Sequence, residues 1–314
     1  MAEEKLLTDI QLLLQPGTLP QKVIEQTQHA RECGKLLSIQ TEHEFVEQND
    51  VSFLVRIVSS LNHKDKAKRQ QEQASASSGK EFNPFLPYDE DLFVANISDT
   101  HVCLLNKFNV VEHHILIVTK EFEEQDNILN MQDFAALAVC LAEIDGLGFY
   151  NGGQVAGASQ RHKHLQLVPC LLSPEDCQIP IEAAFSSTLT QPTIATAPAL
   201  PFAHAIAPLD LDWQKSPLEA AAATLRCYHA LMQAVGLQVD SNNSSVKQPK
   251  PYNLLITRRW MLLVPRSQEG YESIQVNSLG FAGALLVRNP EQMQRLKELG
   301  PINLLRQVGM PPQG

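Results

Sequence analysis

One run of the chain restricts its folding more than any other: Asn151-Gly152-Gly153-Gln154-Val155-Ala156-Gly157-Ala158-Ser159-Gln160-Arg161-His162-Lys163-His164-Leu165-Gln166-Leu167-Val168-Pro169. Its second part reads as a strand, because polar and apolar side chains alternate and an extended chain sends successive side chains to opposite faces. His162, His164 and Gln166 then share one face, while Leu165 and Leu167 turn the other way into a core. The first part is rich in glycine and small residues, and it can bring backbone N–H groups and a small hydroxyl close to an anion. It is not a P-loop: no Gly-Lys-Ser/Thr closes it, and a strand follows where a P-loop has a helix. Arg161 and Lys163 add positive charge, with no acid before Glu175.

Two alternating histidines and a glutamine beside such a loop suit attack on phosphorus. A neutral imidazole is a good nucleophile there, and the resulting phosphoramidate is labile enough for a second acceptor to displace it. The other ring nitrogen needs an acceptor, supplied by a neighbouring histidine or a backbone carbonyl. The glutamine can donate an amide N–H to a non-bridging oxygen as charge builds. Blander readings exist. His-x-His on a strand is also a zinc half-site, but the segment offers no third ligand, and Gly-Gly alone is a turn. The conjunction of loop, histidines and glutamine favours the phosphorus chemistry.

Charge narrows the partners. The 314 residues carry a formal net charge of −10, unevenly: residues 1–150 hold 12 bases against 24 acids, and residues 151–314 hold 13 against 11. No basic face is available for broad binding to nucleic acid or an anionic membrane, and an anion is better received in the second half. There is no run of about 18 apolar residues to span a bilayer and no basic-then-apolar leader. The six cysteines are scattered without a CxxC pair, which reads as buried thiols in a reducing cytoplasm; Cys170 and Cys177 are the one pair that could bridge or share a metal.

Along the chain, residues 3–35 read as helical with a break at Pro16-Gly17, and Val51 to Val58 reads as a strand. Residues 63–81 are low in large apolar side chains and are expected to form a mobile loop. Strands are expected at His101 to Lys107 and His114 to Thr119. A helix capped by Asn130, with Asp133 in its first turn, should end at Gly146 and Gly148. Residues 178–215 read as irregular packed connection. Ser216-Pro217-Leu218-Glu219 reads as a capping box opening a helix to Gly236. Two further strands follow, Tyr252–Thr257 and Trp260–Pro265. Of the adjacent His113 and His114, one should pack inward, since neighbours on a strand face opposite sides. Between Asp240 and Glu269 lie Lys247, Lys250, Arg258, Arg259 and Arg266 with no acid, a stretch that could serve a polyphosphate.

His-x-His-x-Gln followed by two apolar residues resembles the histidine triad superfamily, in the branch whose last histidine is glutamine. With Asn151-Gly152-Gly153 and Gly157-Ala158-Ser159-Gln160, it is similar to the diadenosine tetraphosphate phosphorylases, also called ATP adenylyltransferases. Leu105-Asn106-Lys107-Phe108, Tyr252-Asn253-Leu254-Leu255, Trp260 to Ser267 and Asn277 to Gly283 extend the resemblance over most of the chain. It implies an α+β fold, a histidine-triad-like antiparallel sheet with flanking helices and an extended C-terminal portion. Residues 1–62 would be a helical and strand segment of the catalytic unit, 63–81 the polar loop, 82–177 the catalytic core, and 178–314 the portion completing the substrate site.

The resemblance further implies that His164 takes an adenylyl group from the dinucleotide, expelling ATP, and that inorganic phosphate removes it as ADP. His162 would support the centre or the orientation of the imidazole, and Gln166 would bind the reacting phosphate. Asn151, Gly157, Ala158, Ser159 and Gln160 would line the phosphate path, with Lys64, Asn106 and Lys107 toward substrate and nucleoside. Asn277, Ser278, Leu279 and Arg288 would contact substrate from the C-terminal portion. Asn109 and Ala284 depart from the family, which often has Pro and Met there. No covalent cofactor is implied, although a divalent cation such as Mg2+ can accompany the polyphosphate. The implied partners are small-molecule nucleotides and inorganic phosphate, with adenylyl sulfate as a second substrate; no nucleic acid, membrane or protein partner is inferred. A hydrolase, with water as second acceptor, and a non-catalytic nucleotide sensor remain the alternatives.

Overall fold

The computed structural model describes residues 10–58, 82–169, 179–237 and 250–312. The polar loop 63–81, Lys64, Cys170, Cys177 and Lys247 lie outside them. The chain opens with helix α1 (Leu19–Glu32) and the hairpin β1 (Glu42–Gln48) and β2 (Val51–Ile57), followed by β3 (Phe93–Asn96), β4 (His101–Leu105) and β5 (Ile115–Thr119). Helix α2 (Met131–Glu143) leads to β6 (Gly146–Gly152) and β7 (His164–Pro169). After two 3-10 turns come β8 (Ala205–Pro208), helix α3 (Pro217–Ala234), β9 (Tyr252–Ile256) and β10 (Trp260–Pro265). The short pair β11 (Gly270–Tyr271) and β12 (Ile274–Gln275), the one-turn helix α4 (Ser278–Phe281), β13 (Ala284–Val287) and helices α5 (Pro290–Leu299) and α6 (Pro301–Val308) complete it.

Eight strands form one sheet in the order β3-β4-β5-β7-β6-β9-β10-β8, every pairing antiparallel. Alternation along each strand divides the core. Leu165 and Leu167 join Ile115, Ile117, Leu254 and Ile256 against helices α1, α2 and α3. Phe149, Val168, Leu255 and Leu262 point to the other side, where a second sheet, β1-β2-β13, and helices α5 and α6 cover them. On that second side a small separate cluster of Phe85, Val102, Leu104, Leu116 and Val118 covers the β4–β5 end. Between the two clusters lie His164 and Gln166, in register with Val118 and Leu116. A slip of one residue in β7 would put the histidine into the helical core, so the leucines on one face determine where the imidazole points.

Helix α2 begins as expected. Asn130 Oδ1 accepts from Gln132 N at 2.9 Å and Asp133 N at 3.1 Å, and Asp133 Oδ2 accepts from Asn130 N at 2.7 Å. Such a cap contributes about 1 kcal/mol. Four expectations are corrected. Residues 10–15 are not helical: Leu12 bridges Ser98, and the extended segment buries Leu14 against the core. Gly146 and Gly148 do not stop α2 but lie inside β6, where added Cβ atoms would sit 2.2 Å from Val168 O and 2.9 Å from Leu137 Cδ1. Their lack of a side chain lets β6 approach β7 and α2. The Ser216 hydroxyl makes no cap bond, so Pro217 alone marks the start of α3. The irregular stretch 178–215 contains an edge strand, β8, paired with β10.

Candidate active site

A cleft of about 1510 Å³ opens on the second face of the large sheet, lined by His164, Gln166 and His114 together with residues from both halves of the chain. His164 is 5% exposed. Its Nδ1 lies 2.8 Å from the carbonyl oxygen of His162, an atom that can only accept. Nδ1 therefore carries the proton, and Nε2 keeps its lone pair. Burial lowers the pKa of this imidazole to about 4, leaving it neutral at pH 7. Phe85 packs on it at 5.3 Å between ring centroids.

His162 occupies the same face but has both ring nitrogens engaged. Nε2 donates to Thr119 O at 2.8 Å, and Nδ1 accepts from Asn83 Nδ2 at 3.0 Å. Asn83 is oriented by Phe85 N, which donates to its Oδ1 at 2.9 Å. His162 thus acts on the site through its main-chain carbonyl, by holding the His164 ring.

Gln166 is set by a relay. Phe108 N donates to Asn106 Oδ1 at 3.2 Å, which turns Asn106 Nδ2 toward His114 Nδ1, 3.1 Å away. His114 Nδ1 accepts, so Nε2 carries the proton and donates to Gln166 Oε1 at 2.9 Å. Only the Gln166 amide nitrogen is then left as the end that can donate to a ligand.

The glycine loop is held from beneath. Asn151 Oδ1 accepts from Asn253 Nδ2 at 2.9 Å, Ser278 N at 2.9 Å and Ser278 Oγ at 2.8 Å. Its oxygen is saturated, so its NH2 is the group available to the cleft that Asn151 lines. Gly153 and Gly157 adopt φ +84° and +92°, and a Cβ on Gly157 would lie 2.7 Å from Asn277 Cβ. Here glycine is required twice over, by conformation and by contact.

The structure revises the electrostatic reading. Lys163 does not face the cleft: its side chain is fully buried, with Nζ 2.6 Å from Asp133 Oδ2 and 3.1 Å from Glu123 Oε2. Arg161 pairs with Glu124. Arg258 caps the C-terminal carbonyls of α2, Leu141 O at 2.7 Å and Ala142 O at 3.0 Å, and Arg259 pairs with Glu182 at 2.8 Å. Arg266 is buried, binding Ala156 O, Asn253 Oδ1 and Val276 O beneath the loop. Among the described residues, the cations that line the cleft come from scattered positions: Arg56, Lys107, Arg161, Lys250 and Arg288.

Of the expected residues, His164, Gln166, Asn106, Lys107, Asn151, Gly157, Ala158, Ser159, Gln160, Asn277, Leu279 and Arg288 line one cleft. Ser278 does not; it is fully buried, and its hydroxyl donates to Tyr150 O and Asn151 Oδ1. Asn109 is buried, accepting from Ser38 Oγ at 2.7 Å and donating to Val111 O at 3.0 Å, so it ties the turn to residue 38 where Pro could not. Ala284 lines the cleft and leaves room there. Sequence reasoning missed Gln125, Asn83 and Thr119, which touch the histidines only through the fold. His114 carried a signal, as one of an adjacent pair. Among the described residues, the one His/Cys/Asp/Glu grouping with atoms close enough to share a metal is His29, Cys33 and Asp91, none of which lines the cleft.

Comparison with known proteins places this geometry. Residues 9–187 match the Ap4A phosphorylase N-terminal domain and residues 198–311 the ATP adenylyltransferase C-terminal domain. The chain is 31% identical over 306 residues to diadenosine 5',5'''-P1,P4-tetraphosphate phosphorylase 2 of Saccharomyces cerevisiae, covering 89% of this chain and 90% of that one. It is 27% identical over 320 residues to Protein APA1 of the same yeast, covering 94% and 95%. The fold matches the crystal structure of yeast Ap4A phosphorylase Apa2 in complex with AMP at TM-score 0.75 and 26% identity, covering 96% and 99% of the two chains. It matches the same enzyme in complex with Ap4A at TM-score 0.73 and 25% identity, covering 96% and 100%. Matches of this extent run through both halves of the chain, which belongs to the Ap4A phosphorylase and ATP adenylyltransferase family.

Proposed function

We propose that this chain is a nucleotidyltransferase that cleaves diadenosine tetraphosphate with inorganic phosphate, giving ATP and ADP through an adenylyl group on His164. The observation that carries the mechanism is the tautomer of His164: a buried neutral ring, Nδ1–H on a carbonyl, with Nε2 left as the nucleophile in a cleft that also holds the Gln166 amide. Nε2 attacks an α-phosphorus, and the bond to the bridging oxygen breaks as ATP leaves. The carbonyl of His162 supports the positive charge on the ring, and the Gln166 NH2 donates to a non-bridging oxygen. An oxygen of inorganic phosphate then attacks the same phosphorus, the P–N bond breaks, and ADP departs.

Asn151 and the 157–160 loop would hold the phosphate chain, with Lys107 at a nucleoside end and Arg288, Asn277 and Leu279 at the far side. A divalent cation such as Mg2+ would enter on the tetraphosphate, whose oxygens are its natural hard ligands. No helix among the described residues is long and apolar enough to cross a membrane, and the free thiols of Cys33, Cys103, Cys140 and Cys227 are in keeping with a reducing compartment such as the cytoplasm.

The test incubates the protein with diadenosine tetraphosphate, with and without inorganic phosphate, and resolves the nucleotides. ATP and ADP appearing only with phosphate is the expected result. Two ADP, or AMP and ATP without phosphate, would make the protein a hydrolase and overturn the reading.

A further inference from the structure

Strands β6 and β7 run side by side from Gly146/Pro169 to Phe149/Gln166 and then part. Beyond that fork, β6 continues along β9 through Asn151 into the glycine loop, while β7 ends at His164. The N–H and C=O of His164 and the C=O of Asn151 would be left facing a gap. The side chain of Gln125 fills it. Its Oε1 accepts from His164 N at 2.8 Å, and its Nε2 donates to His164 O at 3.1 Å and to Asn151 O at 2.9 Å. Gln125 is 3% exposed and is itself clamped: its N–H donates to Arg161 O at 2.6 Å, and its carbonyl accepts from Tyr150 Oη at 2.5 Å.

We propose that Gln125 is a positioning residue for the transfer reaction, its carboxamide setting the separation between the nucleophile and the phosphate loop where the two strands part. The proposal rests on the reaction argued above. It touches no reacting atom; it holds the main chain of His164 to the main chain of Asn151. Strand pairing would draw the two together and close the cleft, whereas an amide one side chain long keeps them apart at a fixed spacing.

The site demands an amide in particular, because one donor and two acceptors face it. A carboxylate at this place could still accept from His164 N, but its second oxygen would meet two carbonyl oxygens. Protonation would return one O–H to that side. Gln125→Glu should therefore fail when ionised and work when protonated, and burial beside carbonyls raises such a carboxyl's pKa. The ionisable groups around it are His162 and His164, with Arg161 and Lys163 between and beside them. Glu123, Glu124 and Asp126 lie on its own segment, Asp133 on α2, and Tyr150 on β6 with Tyr228 and Tyr252 behind it. His164 remains neutral well below pH 6, so the nucleophile survives the acid arm of the test.

The experiment measures kcat and KM for phosphorolysis of diadenosine tetraphosphate from pH 5.5 to 8 in the wild type, Gln125→Glu and Gln125→Met, with circular dichroism at each pH. Gln125→Glu should lose kcat on the order of 100-fold at pH 8, with KM less affected, as expected for a small displacement of reacting groups. Most of that loss should return toward pH 5.5. Gln125→Met, isosteric but unable to bond, should lose kcat similarly at every pH. A pH-independent ratio of Gln125→Glu to wild type, or wild-type kcat in folded Gln125→Met, would overturn the proposal. Unfolding of both variants at every pH would also overturn it, by making Gln125 a determinant of the fold alone. The wild type alone tests the parent reaction and the variant ratios test this inference, so each can fail separately.

Discussion

Two buried cations, one beside the nucleophile in sequence and one beneath the glycine loop, have different environments. Lys163 sits between His162 and His164 in sequence but points away from them, onto Asp133, Glu123 and Ile128 O. Burial pushes the Asp133 carboxyl up, but Lys163 and His101 outweigh it and hold it below its ordinary value. Arg266, under the glycine loop, makes no direct ion pair among the described residues, although the Glu269 carboxylate acts on it from further off: it donates to the carbonyls of Ala156, Val276, Val308, Gln268 and Glu269 and to Asn253 Oδ1. Burial lowers its pKa to about 9, so it stays charged at pH 7. One network is thus an ion pair that anchors the start of β7, and the other is a cation dissolved in carbonyl dipoles that braces the loop. The difference matters for an anionic substrate. The strand side is neutralised by acids in direct contact, while the loop side keeps a cation held by carbonyls, offset only at a distance by Glu269, beneath the place proposed for phosphate.

The neutral histidine should matter most. His164→Ala should remove activity by on the order of 10⁴-fold or more while thermal unfolding stays near wild type; full activity would contradict the mechanism. Next comes the charged anchor. Lys163→Met leaves Asp133 buried without its main partner and should cost about 3–5 kcal/mol in urea unfolding. The double change with Asp133→Leu should regain much of that, and failure to do so would erase the contrast with Arg266.

Acid probes the same region more gently. The folded pKa of His164 lies below the unfolded value near 6.5, so the unfolded chain takes up the proton first. This group's contribution to stability is therefore complete above pH 6.5 and is lost as pH falls toward 4, by roughly 3 kcal/mol in all. The free-enzyme kcat/KM should show no fall with a midpoint at the ordinary imidazole pKa.

Smallest is Arg266→Lys, which keeps the charge but cannot reproduce a fork spread over several carbonyls. A loss of about 2 kcal/mol in stability is expected. If the charge rather than the fork serves the substrate, KM for diadenosine tetraphosphate should change little in this variant and rise in Arg266→Met.

Much of this protein could be read from local pattern. The alternation in β7 put His164 and Gln166 on one face and Leu165 and Leu167 in the core, and the Asn130 cap marked the start of α2. The need for an acceptor at the second imidazole nitrogen was also legible; the structure supplies it as His162 O. Gly146 and Gly148 misled, because a glycine after a helix is a stop signal locally and a close-approach residue only once β7 and α2 are in place. Ser216 misled because cap geometry depends on the incoming chain direction as well as on the residue. Lys163 and Arg161 read as local positive charge because the acids that pair with them, Asp133, Glu123 and Glu124, lie some 30 to 40 positions upstream; Lys163 turns away from the cleft, while Arg161 still lines it.

The sequence by itself determined which face of one strand carries the chemistry, since side-chain alternation is a property of the extended backbone and needs no neighbour. Tertiary structure alone decided which cations line the cleft, which histidine nitrogen is free and how far the nucleophile stands from the loop. Those depend on partners brought in from afar: Gln125 is 39 residues from His164, and Arg266 is 110 from Ala156. Hydrogen bonds and ion pairs act only at contact distance in a buried, weakly screened interior, and contact between remote residues is what folding creates.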